Sequence, residues 1–197
     1  MLFQCDLSLA SKDFEGDYGM TLQSEDLFEP NLPLIQKQAK GGTLIMWKKK
    51  FDPFVTVLGS PSPAFSIILF SPPNCSPSIQ ISFYFPTAGR DSEFAEEVST
   101  MHHSLLELKE KYPTYSLFLR GDTNANPKNK NRCMILNKMI RDLNLTCTII
   151  NHNTYHHFVG NGSSDSQIDA LLHSSHMKEF LKQIHCLKSD PMVTRTG

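Results

Sequence analysis

The sequence predicts an α/β fold, a two-sheet β-sandwich flanked by helices, built as a single domain over residues 1–197. Three observations predict it. Short apolar and β-branched runs recur at hairpin-like spacing along most of the chain. Two longer segments between them carry apolar residues at helical spacing. The composition is globular: 197 residues, 40% hydrophobic and 20% charged, are enough to bury one ordinary core. Many strands interrupted by two or three helices indicate sheets with helices packed outside them.

The elements follow in order. Met20-Thr21-Leu22 is a short strand, and Glu25 to Pro30 is an acidic loop broken by proline. Gly41-Gly42 opens the strand Thr43 to Trp47, which runs into Lys48-Lys49-Lys50. Phe54 to Leu58 and Phe65 to Phe70 are strands separated by the turn Ser60-Pro61-Ser62-Pro63. A second proline- and serine-rich connector, Ser71 to Pro77, leads into a strand from Ile79 to Phe85. Both connectors are too short to be domain linkers. Asp91 to Tyr112 is a helix, with Asp91 as N-cap, acids in its first turns, and Phe94, Val98, Met101, Leu105 and Leu108 at helical spacing. Lys109 and Lys111 suit its C-terminal end, and Pro113 lies just beyond. Tyr115 to Leu119 is a buried strand. A second helix spans Asn131 to Leu143, with Ile135, Met139 and Leu143 on one face. Thr146 to Ile150 is β-branched and extended, Ser166 to Leu172 is another strand, and His176 to Ile184 forms a last helix.

Composition narrows the function classes. A formal net charge of −1 is not the strongly basic balance of a typical nucleic-acid binder, although a local cationic groove works within a neutral protein. Five scattered cysteines without a CxxC pair favour neither a disulfide framework nor a zinc site, and they suit a reducing compartment. No apolar run approaches the ~18 residues that span a bilayer. The N-terminus has no basic segment followed by an apolar core, so no signal peptide is expected.

The stretch with most chemistry is Arg120-Gly121-Asp122-Thr123-Asn124. It follows a core strand, so a carboxylate and a carboxamide two residues apart leave a fixed backbone in the same direction. Asp122 can orient or deprotonate a water. Asn124 can donate to a phosphate oxygen without adding charge. Alone, the motif reads equally well as a turn, because Asp and Asn cap their own loops. Tyr84 stands before Phe85-Pro86 at the end of another strand, where a tyrosine often simply packs its ring. Asp169 lies between Ile168 and Ala170-Leu171-Leu172, and a carboxylate in such a setting needs a partner. The pairs His156-His157 and His102-His103 make poor chelates. Neighbours on a strand face opposite sides, the helical pair has a similar fault, and no metal ligand is assigned to either. Lys128, Lys130 and Arg132 follow the Asp-x-Asn loop, and like Lys48-Lys49-Lys50 they are either solvated or paired with a nucleic-acid backbone.

Taken in order, Tyr84-Phe85-Pro86, Gly121-Asp122-x-Asn124, Thr154-Tyr155-His156-His157-Phe158 and Ser166-Gln167-Ile168-Asp169 resemble the endonuclease/exonuclease/phosphatase superfamily over roughly residues 20–190. The Thr-Tyr-His-His-Phe run and Gly41-Gly42-Thr43-Leu44 look most like the endonuclease domains of non-LTR retrotransposons. The resemblance implies a Mg²⁺-dependent phosphodiesterase acting on DNA, with no membrane or obligate protein partner, and a nuclear setting if the chain derives from a retrotransposon. It implies that Tyr84 supports the phosphate or leaving oxygen and that Asp122 directs the attacking water. Asn124 would hold the scissile phosphate. Asp169 would orient a catalytic histidine or help hold the metal. Lys128, Lys130, Arg132, His157 and Phe158 would line the nucleic-acid groove, although the last two also suit a surface hairpin.

The sequence departs from the family at both ends. No early Gln-Glu-Thr strand supplies the metal-binding glutamate, since Glu15, Glu25 and Glu29 sit in polar, loop-like settings. No Ser-Asp-His motif follows Ser189-Asp190-Pro191. On this reading the domain is incomplete at both termini. Mg²⁺ is left with too few oxygen ligands, proton transfer loses its histidine, and the chain is expected to be inactive or a non-catalytic, weakly nucleic-acid-binding relic.

Overall fold

The computed structural model describes residues 16–24, 42–126, 128–148, 155–159, 162–166 and 169–179. Strands β1 (Tyr18–Ser24) and β2 (Gly42–Lys48) pair antiparallel as a two-stranded sheet. A six-stranded mixed sheet contains β3 (Val55–Leu58), β4 (Phe65–Phe70), β5 (Ser78–Tyr84), β6 (Ser116–Asp122) and β7 (Leu145–Thr148). A separate hairpin joins β8 (Tyr155–Val159) to β9 (Gly162–Ser166). Strand β10 (Asp169–Ser174) returns to the large sheet, whose order is β3-β4-β5-β6-β10-β7. Helices α1 (Asp91–Lys111) and α2 (Lys130–Asp142) complete the described architecture, which is α/β: a six-stranded and a two-stranded sheet with helices, and the separate β8–β9 hairpin.

The layers follow from alternation along the strands. Phe65, Ile67 and Leu69 of β4, Ile79, Ile81 and Phe83 of β5, and Leu117 and Leu119 of β6 share one core with Phe94, Val98, Met101 and Leu105 of α1. The apolar stripe of α1, four residues at spacings of three and four, therefore covers one face of the large sheet. Phe85 packs edge-on against Phe94, with ring centroids 5.7 Å apart. The intervening positions point to the other face, where Ser66 of β4 bonds Thr43 of β2 at 2.7 Å between buried hydroxyls. That contact lays the β1–β2 sheet on the face away from α1.

Topology sets the site. β5 and β6 are parallel, with α1 as the crossover between them, and every other pair in the large sheet is antiparallel. Parallel neighbours need such a crossover because a tight turn cannot connect them. β10, last in sequence, inserts between β6 and β7. Its first residue therefore meets the last residue of β6.

Several expectations are corrected. The strand predicted to end at Leu119 continues through Arg120 and Gly121 to Asp122, because that stretch pairs with β5 and β10 on its two sides. Residues Lys49–Phe54 form a 3-10 turn around Pro53, so the strand predicted from Phe54 begins at Val55. Ser166 ends the β8–β9 hairpin and does not open the strand containing Asp169. Asp91 is the first residue of α1 and makes no cap bond, since its carboxylate is taken by Arg132. The helix predicted from His176 is a 3-10 turn over Ser175–Glu179, and the rest of that prediction lies outside the described residues. In α2 the buried apolar positions are Leu136 and Met139, with Leu143 beyond its end, while Ile135 is half-buried. No helix among the described residues is long and apolar enough to cross a membrane.

Candidate active site

Three of the residues singled out from sequence stand in one row. Tyr84 at the end of β5 pairs with Asp122 at the end of β6, and Asp122 pairs with Asp169 at the start of β10. Register neighbours project to the same side of a sheet, with Cα atoms about 5 Å apart. The row lies at the carboxyl ends of two parallel strands, where α/β sheets commonly present ligand sites. All three side chains are half-buried.

Gly121 makes the row possible. A Cβ at this position would run into the Phe83 carbonyl and ring. Only glycine lets β5 and β6 close to hydrogen-bonding distance immediately before the site.

Past Asp122 the chain turns sharply. Asn124 has φ +45°, a left-handed conformation that asparagine tolerates better than most residues. Its backbone N–H donates to Asp122 Oδ1 at 2.7 Å, and its side-chain Nδ2 donates to the Phe85 carbonyl at 2.8 Å. The Phe85 N–H in turn donates to the Asp122 carbonyl at 3.0 Å. These bonds stitch the exits of β5 and β6 together. One carboxamide N–H of Asn124 is thus used structurally, leaving its second N–H and its oxygen for a ligand.

The electrostatics of Asp122 follow from this setting. Burial pushes its pKa up from an ordinary carboxylate value to about 6. The Asn124 N–H opposes the rise, and the negative charge of Asp169 adds to it. A carboxylate whose pKa is raised toward neutral pH by burial and a like-charged neighbour is common at catalytic sites.

Among the described residues, these two carboxylates are the pair that stands side by side at the site. Magnesium is typically held by one or two carboxylates together with water and substrate phosphate, so Asp122 and Asp169 fit it in that mode. A cation would also relieve the repulsion that raises the Asp122 pKa. Among the described residues, no group of three or more His, Cys, Asp or Glu is placed to hold a metal by itself. Glu15, Glu25 and Glu29, weighed above as metal ligands, lie outside the described residues, as does Ser189-Asp190.

The basic residues divide. Lys128 and Lys130 are exposed in the turn after the Asp-x-Asn loop, which is folded by a bond from the Lys128 N–H to Asn126 Oδ1 at 2.9 Å. Arg132 is 1% exposed, so, contrary to the expectation from sequence, it is not available to a nucleic acid. Its guanidinium is committed to protein acceptors and lies 4.4 Å from the Phe94 ring centroid. A signal for this was present in the sequence: Arg132, Leu136, Met139 and Leu143 share one helical face. The Lys48-Lys49-Lys50 cluster is at the other end of the molecule, where Phe51 stacks edge-on against Phe70 at the opposite end of β4 from Phe65. His157 and Phe158 fall on β8, whose side chains lie outside the described part.

No family model matches the sequence, and no curated protein matches it. Solved structures do. The endonuclease domain of TRAS1, a telomere-specific non-LTR retrotransposon, superimposes with a TM-score of 0.55 at 13% identity, over 88% of this chain and 80% of that one. TDP2 from C. elegans gives a TM-score of 0.53 at 10% identity, over 88% of this chain and 52% of that one. An endonuclease/exonuclease/phosphatase family protein from Bacteroides thetaiotaomicron gives 0.58 at 14% identity, over 86% and 65%. This chain therefore spans most of the retrotransposon domain but only about half the length of the TDP2 chain. At these identities the likeness establishes the fold alone, the one this chain shares with the TRAS1 endonuclease domain and the Bacteroides thetaiotaomicron protein.

Proposed function

We propose that this chain is a phosphodiesterase domain of the retrotransposon-endonuclease type that, as this polypeptide, binds nucleic acid without appreciable cleavage. The observation that carries the reading is the row Tyr84–Asp122–Asp169 at the ends of β5, β6 and β10, with Asn124 folded back onto Asp122. Each group has work it can do on a phosphodiester. Asp122 can accept a proton from water and aim the oxygen. The remaining N–H of Asn124 can donate to a non-bridging phosphate oxygen. Tyr84, in the same row, would donate from its hydroxyl to charge developing on the phosphate or leaving oxygen. Asp169 keeps Asp122 basic and shares its cation. Mg²⁺, when bound, would supply charge neutralisation worth several kcal/mol. Among the described residues only these two carboxylates converge on the site, which favours weak metal binding and low turnover. Lys128 and Lys130 stand next to the site and suit a nucleic-acid backbone.

A second reading, a fully active endonuclease, is favoured by one observation: the Asp122 pKa of about 6 already suits a general base near neutral pH. One comparison separates the two. The chain and its Asp122→Ala variant are assayed for plasmid nicking across added Mg²⁺, and for binding of a labelled duplex across salt. Salt-sensitive binding by both, with no nicking above background, supports the first reading. Mg²⁺-dependent nicking that Asp122→Ala abolishes establishes the second. A chain that neither nicks nor binds refutes both.

A further inference from the structure

Two loops leave the ends of β5 and β6 and carry the candidate site between them. Arg132, on the first turn of α2, is bonded to both. Its Nη1 donates to the Pro86 carbonyl at 2.6 Å and to the Asn124 carbonyl at 3.0 Å. Its Nη2 donates to the Thr87 carbonyl at 2.7 Å. Its Nε donates to Asp91 Oδ1 at 2.6 Å, at the start of α1. Beneath the guanidinium lies the ring of Phe94. Four of the five guanidinium N–H groups thus have protein acceptors.

This is more than core packing. A buried cation costs several kcal/mol unless paired and fully bonded, and a leucine here would fill the same stripe as Leu136 and Met139. The arginine is placed where three backbone carbonyls from two separate loops converge, an arrangement suited to a planar fork and unsuited to a point charge. One of those carbonyls belongs to Asn124, whose N–H grips Asp122 and whose side chain grips Phe85. Asn124 is also the residue in a left-handed conformation, and its carbonyl, its N–H and its carboxamide are each bonded there. The bonds of Arg132 go to Pro86, Thr87, Asp91 and Asn124, so its route to Asp122 runs through Asn124.

We propose that Arg132 is the positioning residue of this site, locking the β5 and β6 exit loops together and fixing the backbone turn at Asn124 that orients Asp122. The assignment deepens the phosphodiesterase reading and rests on it for its functional meaning, but its test requires no turnover. The readout is backbone amide exchange and the amide proton shift of Asn124 in the full chain, compared with amides deep in the core at Leu119 and Met139. In Arg132→Lys, Asn124 should exchange about tenfold faster or more and its amide shift should move, as expected for loss of roughly a hydrogen bond or two, while Leu119 and Met139 keep their relative protection. Arg141→Met, on the exposed far end of α2, should leave Asn124 unchanged. A merely structural arginine would alter all amides in proportion to the loss of global stability. That result, or an unchanged Asn124, overturns the assignment. With Arg132→Lys unfolded, Asp91→Ala decides. It removes one anchor of the guanidinium from an exposed position, and a smaller Asn124 shift in the same direction supports the lock while none overturns it. Absence of nicking by the wild-type chain would count against catalysis and leave this measurement intact.

Discussion

At Gly121 the absence of a side chain is a requirement of the site. Any Cβ would meet the Phe83 carbonyl where β5 and β6 approach most closely. Gly121→Ala should force the strands apart directly beside Asp122. The cost should be that of overpacking, about 1–3 kcal/mol or more, read as a lowered urea midpoint, together with shifted amides at Phe83 and Asp122. A midpoint equal to that of the wild-type chain would show that the strands give way freely. Asp122 itself makes a second prediction. Its folded pKa, about 6, lies above its unfolded value, so the folded chain binds more protons between the two. Stability attributable to this residue is therefore greatest below the unfolded carboxylate pKa and falls as pH rises through about 6. The difference is at most about 3 kcal/mol for a shift of this size. Asp122→Asn keeps the acceptor for the Asn124 N–H and removes the charge, so it should be more stable than wild type at pH 7 and close to it near pH 4. Equal stability of the two at pH 7 would count against desolvation of this carboxylate.

Among the elements, the helix pair carries its own pH dependence. His102 of α1 faces α2, with its Nε2 buried, without a hydrogen-bond partner among the described residues, and 3.6 Å from Asp142 Oδ2. Burial pushes its pKa below the ordinary histidine value. The Asp142 charge opposes the shift, and His103 and Lys138 add to it. A histidine with a lowered folded pKa contributes stability that is full above its unfolded pKa, near 6.5, and is lost as pH falls from there through the lower folded value. His102→Gln should flatten the pH profile of the thermal midpoint between about pH 5 and 7. A wild-type profile no steeper than that of the variant would remove His102 from the account. Phe94 joins the helix layer to the site, packing on Phe85 and under Arg132. Phe94→Ala should cost about 3–5 kcal/mol as a large-to-small core change. It should also loosen Asn124, which a cavity elsewhere in the core would not do.

Over the whole molecule, the positive charge beside the site is local. Lys128 and Lys130 are exposed next to the Asp-x-Asn loop, whereas Lys48, Lys49 and Lys50 stand at the opposite end of the large sheet. With a net charge of −1, long-range attraction contributes little, and on the proposed reading nucleic-acid binding would lean on these local cations. Replacing Lys128 and Lys130 by alanine should weaken duplex binding and reduce the salt slope by roughly 2, close to 0.9 for each phosphate no longer neutralised. Replacing Lys48 and Lys50 should change the slope far less. The reverse ranking would place the nucleic acid on the β1–β2 side.

The sequence by itself determined the α/β class, most strands, both helices and the identity of Tyr84, Asp122, Asn124 and Asp169 as residues to watch. These were legible because alternation, helical spacing and turn chemistry are local properties of a chain. What only the tertiary structure decided is who meets whom. Nothing local says that β10, the last strand, inserts between β6 and β7 and sets Asp169 against Asp122. Nothing local extends β6 to Asp122, since Arg120 and Gly121 are poor strand formers alone and become strand because two neighbours bond them. Arg132 shows the limit most plainly. Its place in a basic run suggested solvent and phosphate, and its place on the apolar face of α2 suggested burial. The choice depended on three backbone carbonyls and a carboxylate that two distant loops and a helix terminus bring to one point, because a buried cation is stable only where such partners converge.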